Sequence, residues 1–277
     1  MSFKPMQNWK TVFSITLAIA IGLPACTNPD RSKLEISGSS TIYPLATQLA
    51  QNYESRHLGV EIEVRSGGSH QGISDVRQGL ADLGMVSRAL KEDEKDLLGF
   101  PIARDGISII LHRENPVASL TNEEIIAIYT DRMNNWQQVG GKDAPITVIT
   151  KSKSHATLEL FVKYFGLKVS EISADVTIGD NEEALEAVID NPNAIAYVSI
   201  GTAEYKIVRG VPLKLIPIEG IDATIANISN KTFPISRPLN FVVETEPTGL
   251  TKDFIDFARS QEANSIIKDQ AFIPISQ

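Results

Sequence analysis

The chain has 277 residues, 42% hydrophobic and 22% charged, with a formal net charge of −8 and a single cysteine. That length carries one large domain or two medium lobes with cores of their own. The acidic balance, with no basic stripe, argues against a nucleic-acid partner, and one cysteine excludes an internal disulfide.

The first residues differ from the rest. Lys4 and Lys10 precede the run TVFSITLAIAIGLPAC. A positive segment, an apolar core and small residues in that order predict a secretory signal over residues 1–25, because a membrane span needs about 20 apolar residues. The competing reading is a permanent N-terminal anchor helix. Cys26 follows LPA as the acylated cysteine of a lipoprotein signal would, with Pro24 where a small residue is usual. Lipid on Cys26 would tether a soluble body to a membrane surface, with residues 26–33 as lipidated N-terminus and polar leash. Losing residues 1–25 removes two lysines and takes the net charge from −8 to −10. A small anionic ligand is compatible with that charge, since such sites work through local amide dipoles and one or two cations.

LEISGSS predicts a strand, and Ile42, Leu45, Ala46, Leu49, Ala50 and Tyr53 then fall at helical spacing. GVEIEVRSGG alternates and closes on glycines as a second strand. HQGISDVRQGL predicts a short helix, and ADLGMVSR a third strand running into Arg88. GISIILHREN is apolar enough for a strand buried on both faces. Thr121, with Glu124 three residues later, is a capping box that opens the next helix. PITVIT is a strand, followed by a helix marked by Leu158, Phe161, Val162 and Phe165. The helix NEEALEAVI leads to strands at AIAYVSIG, PLKLIPI and PLNFVVE, and a last long helix carries Leu250, Phe254, Phe257 and Ala258. Strands alternating with helices predict an α/β fold with a parallel-rich sheet. The pattern restarts near residue 120, so two lobes are expected: residues 34–112 with 235–277, and residues 113–234. The chain would cross between them around 108–114 and 233–241.

Ligands in such folds sit beyond the carboxyl ends of strands. The junctions SGSST, RSGGSHQG, VSR and TKSKSHAT gather Ser, Thr, Gly and cations there. Taken singly, each has a plain reading. Gly38–Thr41 suits a helix N-cap; a serine nucleophile would sit in G-x-S-x-G, whereas the sequence runs G-S-S-T-I. None of His57, His70, His112 and His155 has metal-site spacing, although His70 and His155 in suspected cleft loops leave a Ser–His pair open. SGGSHQG reads equally as a flexible turn, and without G-K-[ST] it is not a P-loop. Arg88 is either an ordinary surface charge or a bidentate fork for an oxyanion. Lys151 and Lys153 follow a strand in the same way, and SHAT opens a helix. Several hydroxyl-rich helix starts with cations together point to a site for a tetrahedral anion.

GSSTIYPLATQLAQNYE, SGGSHQGISDVRQGLADLGMVSRAL, AIAYVSIG and FPISRPLNFVV, in that order and spacing, resemble the phosphate-binding proteins of ABC transporters. The resemblance runs from about Leu34 to the C-terminus. It implies a two-lobed, type II-like periplasmic-binding fold with two crossing hinge strands. It also implies capture of inorganic phosphate and its delivery to an inner-membrane ABC permease, by a monomer without catalytic activity, metal or cofactor. A lipid on Cys26 would then hold the protein on the periplasmic side of the envelope. Carried over position by position, Ser39, Ser40 and Thr41 supply amide and hydroxyl donors, Ser69 a hydroxyl from the second loop, and Ser87 and Arg88 a further contact. Some members carry there an aspartate that accepts the phosphate proton; here it is Arg88, leaving Asp105 as a substitute acceptor. The fourth loop departs further: where the family often has an arginine and Gly-Ser-Gly-Thr, this chain has Lys151, Ser154, His155, Ala156 and Thr157. Binding of sulfate, molybdate or tungstate, a serine hydrolase and an envelope sensor are the alternatives.

Overall fold

The structure is a computed structural model that describes residues 1–2 and 32–275. The expected signal, Cys26 and most of the leash lie outside the described residues. The elements are β1 (Ser32–Gly38), α1 (Tyr43–Glu54), β2 (Val60–Ser66), α2 (Ser69–Arg77), β3 (Leu83–Val86), β4 (Leu98–His112) and α3 (Asn122–Tyr129). They continue with β5 (Thr147–Lys151), α4 (Ala156–Tyr164), β6 (Val176–Ile178), α5 (Asn181–Asp190), β7 (Ala194–Ser199), α6 (Ile200–Ile207) and β8 (Leu213–Leu215). The chain ends with α7 (Ile225–Ser229), β9 (Ser236–Val243), α8 (Gly249–Ala258), α9 (Ala263–Asp269) and β10 (Ile273–Pro274). Ser32 and Lys33, expected to close the leash, already pair with Val60 and Glu61 in β1.

The strands follow the order β2-β1-β3-β9-β4-β7-β5-β6. The outer parts are parallel, with β1 between β2 and β3, and β5 between β6 and β7. The middle is antiparallel, with β9 between β3 and β4, and β4 against β7. The sheet is therefore mixed rather than parallel-rich, because two long strands run through its centre. β4 is the longer of them, at 15 residues. Its first part, Leu98–Gly106, pairs with β9 and its second, Ile107–Leu111, with β7.

Two main cores flank that crossing. In one, the stripe Leu45, Ala46, Leu49, Ala50 and Tyr53 of α1 packs with Leu34, Ile36, Met85 and Phe241 of the sheet and Phe254 of α8. In the other, Ile107, Ile109 and Leu111 of β4 meet Tyr197, Tyr129, Trp136 and Phe161, with Phe161 stacked on Tyr197 at 4.0 Å between ring centroids. Each fully buried side chain of this size contributes about 1.5–3 kcal/mol. The capping box forms as expected: Thr121 Oγ1 accepts from the Glu124 amide at 3.1 Å, and Glu124 accepts from the Thr121 amide at 2.8 Å. The last long helix is instead two, α8 and α9. No helix among the described residues is long and apolar enough to cross a membrane.

Candidate anion site at the lobe junction

β1 ends on Gly38, whose φ of +129° and position 2.5 Å (at a notional Cβ) from the Met85 carbonyl oxygen admit only glycine. The chain turns there into Ser39, whose amide donates to Met85 O at 2.9 Å and whose Oγ accepts the Thr41 amide at 3.2 Å. Ser40 is half-buried at the same turn. β2 is followed by Gly67 and Gly68, both donating to the Gly38 carbonyl, so the start of α2 lies beside the start of α1. Ser69 Oγ then accepts the Ser87 amide at 3.1 Å at the end of β3. Three junctions of one lobe are thus tied together by their own hydroxyls and amides.

At the centre stands a residue that the sequence reading quoted but did not single out, Arg237 of β9. Its side chain is 1% exposed, and Nη2 and Nε donate to Asp105 Oδ2 at 2.8 and 3.1 Å. Asp105 Oδ1 accepts the Gly201 amide at 3.1 Å. The rest of the guanidinium faces hydroxyls: Nη2 donates to Thr41 Oγ1 at 3.0 Å, and Nη1 to Thr157 Oγ1 at 3.1 Å and Ser87 Oγ at 3.3 Å. A buried ion pair is weak evidence for stability; a cation held by one carboxylate and ringed by hydroxyls from both lobes suits an anion. Thr41 and Thr157 keep their protons to give, while Ser87 shares a hydroxyl–hydroxyl bond of 3.4 Å with Ser69. An arginine in a strand buried on both faces was the signal in SRPLNFVV that would have found it.

The second lobe contributes the fourth loop. Lys151 ends β5 with its side chain 2% exposed, and its Nζ donates to the Asp180 carbonyl at 2.5 Å. Burial lowers its ammonium to about 7; Asp180 opposes that shift and the charge of Arg237 adds to it. Thr157 lies in the first turn of α4. His155 is its N-cap residue and Ser154 precedes it; His155 Nδ1 lies 2.9 Å from Ser152 Oγ and 3.0 Å from Ser154 Oγ. Burial, then Lys151, lowers the pKa of His155 and favours the neutral ring. No carboxylate bonds that ring among the described residues, so the Ser–His contact lacks the third group of a triad. Asn181, first residue of α5, donates through Nδ2 to Thr41 Oγ1 at 3.1 Å. One asparagine at a helix start is ordinary, so nothing in the sequence marks Asn181 out.

Ser39, Thr41, Ser69, Ser87, Lys151, Ser154, His155 and Thr157 thus gather around the junction. Arg88 does not join the guanidinium–hydroxyl group, which corrects its expected place. Its Nη atoms form a fork on Glu94, both at 2.7 Å, Nη1 also donates to the Ala89 carbonyl, and Nε reaches Glu159 at 3.3 Å. A buried arginine next to a buried carboxylate takes that partner, since leaving either charge unpaired is costly. Among the described residues no cluster of His, Cys, Asp and Glu has the makings of a metal site.

A family profile described as "PBP superfamily domain" matches residues 24–262. The chain belongs to that superfamily. Among superfamily proteins, the phosphate-binding protein PstS of Bacillus subtilis is 28% identical over 248 residues, 88% of this chain and 81% of its own length. A Clostridium perfringens structure described as a phosphate ABC transporter substrate-binding protein with bound phosphate is 32% identical. It superposes with a TM-score of 0.82, over 88% of this chain and all of the other. A Vibrio cholerae structure described as an ABC-type phosphate transport receptor is also 32% identical, with a TM-score of 0.68 and the same coverage. The superfamily's two-lobed fold is the one seen here.

Proposed function

We propose that the protein captures inorganic phosphate outside the cytoplasmic membrane and hands it to an ABC permease; it is a binding protein, not an enzyme. The observation that carries this reading is Arg237, buried against Asp105 and bonded to hydroxyls of both lobes. Relatives named or solved as phosphate-binding proteins support it. In this reading Ser39, Ser40, Thr41, Ser69, Ser87, Ser154, Thr157 and Arg237 donate to the anion, while Lys151 and His155 line its lobe-two side. The lobes follow the expected division, residues 34–112 with 235–277 and residues 113–234, except at the crossings, where Ile107, Ile109, Leu111 and Ile235 belong to the core of the second lobe. The change of partner along β4 draws the first crossing back to about Gly106 and Ile107. Cys26 carries the lipid that keeps a monomeric receptor on the periplasmic face, near its permease.

Calorimetric titration of the mature protein with phosphate, sulfate, molybdate and tungstate tests the reading. Tight phosphate binding with weak binding of the others is expected. Preference for another oxyanion, or no anion binding, would overturn it.

A further inference from the structure

The hydrogen-bonding groups at the junction are almost all donors. Arg237 can only donate, and so can Lys151 in its ammonium form. The hydroxyl oxygens already accept: Ser39 from the Thr41 amide, Ser69 from the Ser87 amide, Ser87 and Thr157 from Arg237, and Thr41 from both Arg237 and Asn181. Each also carries a proton to give, save that one of Ser69 and Ser87 gives its proton to the other across 3.4 Å. Asp105 is engaged on both oxygens, by Arg237 on one and by the Gly201 amide on the other. One buried acceptor at the junction has no partner at all. Asn181 is 2% exposed, and its Oδ1 has no hydrogen-bond partner, while its Nδ2 holds the Thr41 hydroxyl that also touches Arg237. A buried carboxamide oxygen without a partner is costly and calls for a donor from elsewhere.

We propose that Asn181 accepts the hydrogen bond of the P–OH group of bound hydrogen phosphate, and so sets the preference for phosphate over fully ionised oxyanions. The proposal rests on the phosphate reading above. Dianionic phosphate keeps one hydroxyl group, whereas sulfate has none at neutral pH. Phosphate therefore satisfies the donors with its bare oxygens and Asn181 Oδ1 with its proton. Sulfate satisfies the donors equally but sets an oxygen lone pair against Oδ1. The acceptor is neutral, so its discrimination comes from one made or unmade hydrogen bond rather than from charge repulsion. It also comes from the second lobe, so it reads the anion only when α5 has closed onto Thr41.

The test is the ratio of phosphate to sulfate affinity by calorimetry at neutral pH in wild type, Asn181→Leu and Asn181→Asp. Leucine removes the acceptor at similar volume; phosphate binding should weaken about ten- to hundredfold with sulfate little changed, collapsing the ratio. Aspartate keeps an acceptor and adds charge, so phosphate preference should persist or rise. A purely structural role through Thr41 would weaken both anions alike and leave the ratio intact in both variants, which would overturn the proposal. So would loss of preference in the aspartate variant, which also decides the matter if the leucine variant does not fold. Wild type that binds phosphate and sulfate equally overturns this proposal alone; wild type that prefers sulfate or binds no phosphate overturns the functional reading with it.

Discussion

Arg237 and Arg88 are both buried arginines paired with a carboxylate, yet their substitution should differ in its effect on binding. Arg237→Met leaves Asp105 buried with only the Gly201 amide, costing about 3–5 kcal/mol of stability. It also removes the central cation, which should lower phosphate affinity more than hundredfold, at about 1.5–3 kcal/mol per charged hydrogen bond. Adding Asp105→Leu should restore much of the melting temperature and none of the binding. Arg88→Met strips the fork from Glu94, so a similar stability loss is expected, with phosphate affinity within about tenfold of wild type. Melting curves and calorimetry on the three variants distinguish the two roles. Lys151 gives a pH signature. Its pKa falls from 10.5 in the unfolded chain to about 7 in the folded one. Between those values the unfolded chain binds a proton that the folded chain does not. Stability without ligand should therefore rise with pH across that window. The rise should be absent in Lys151→Met and flattened by saturating phosphate, whose charge favours the ammonium. The hydroxyl-rich junctions were legible because Ser and Thr at four strand–helix junctions make a pattern. The central cation was not, because Arg237 is alone on its strand and its partners Thr41, Asp105 and Thr157 are distant in sequence.

At the scale of elements, amphipathic periodicity was enough for α1, α4 and α8, where a single face is buried. It failed where the burial pattern changes within an element. β4 was expected to begin at Gly106; its first half carries Pro101, a register shift between Pro101 and Ala103, and the exposed Leu98. Proline and a bulge read as a loop in sequence. α6 was absorbed into the preceding strand because the Ser199 that ends β7 is also its N-cap, accepting the Thr202 amide at 3.1 Å. Caps that were legible should be worth their ordinary amount: Thr121→Ala should destabilise the protein by about 1 kcal/mol, measured by denaturant midpoint at constant slope, without altering anion binding.

Across the whole molecule, the lobes meet through contacts outside the anion site as well as within it. Glu159 of α4 receives His70 at 2.5 Å, Lys91 at 2.6 Å and Arg88 at 3.3 Å, all from the other lobe, and the His70 amide donates to the Ser154 carbonyl at 3.1 Å. Each of the partly exposed pairs contributes only about 0–1 kcal/mol, so they adjust closure and the ligand decides it. Gly68 is one close approach: a Cβ there would lie 2.6 Å from the Ser154 carbonyl oxygen, at a φ of +91°. Gly68→Ala should therefore hinder the closed form. Weaker phosphate binding and a smaller ligand-induced compaction in X-ray scattering are expected, and compaction equal to wild type would remove Gly68 from the closing contact.

The placement of β9 between β3 and β4 also dictates an order of events during synthesis. The core around Trp136 and Tyr197 draws its buried residues from one continuous stretch, Ile107 to Ile235, with only the partly buried Ile273 added later, and can assemble as soon as that stretch is available. The core around Met85 and Phe241 cannot: its sheet lacks the strand between β3 and β4 until residues 236–243 arrive, and α8 and α9 come later still. The N-terminal third of the chain, made first, must wait for the last forty residues with the facing edges of β3 and β4 unpaired. Such edges bind other chains as readily as their own. The segment made first is thus the last to fold, and a nascent chain stalled before Ser236 would hold one finished lobe and one adhesive half.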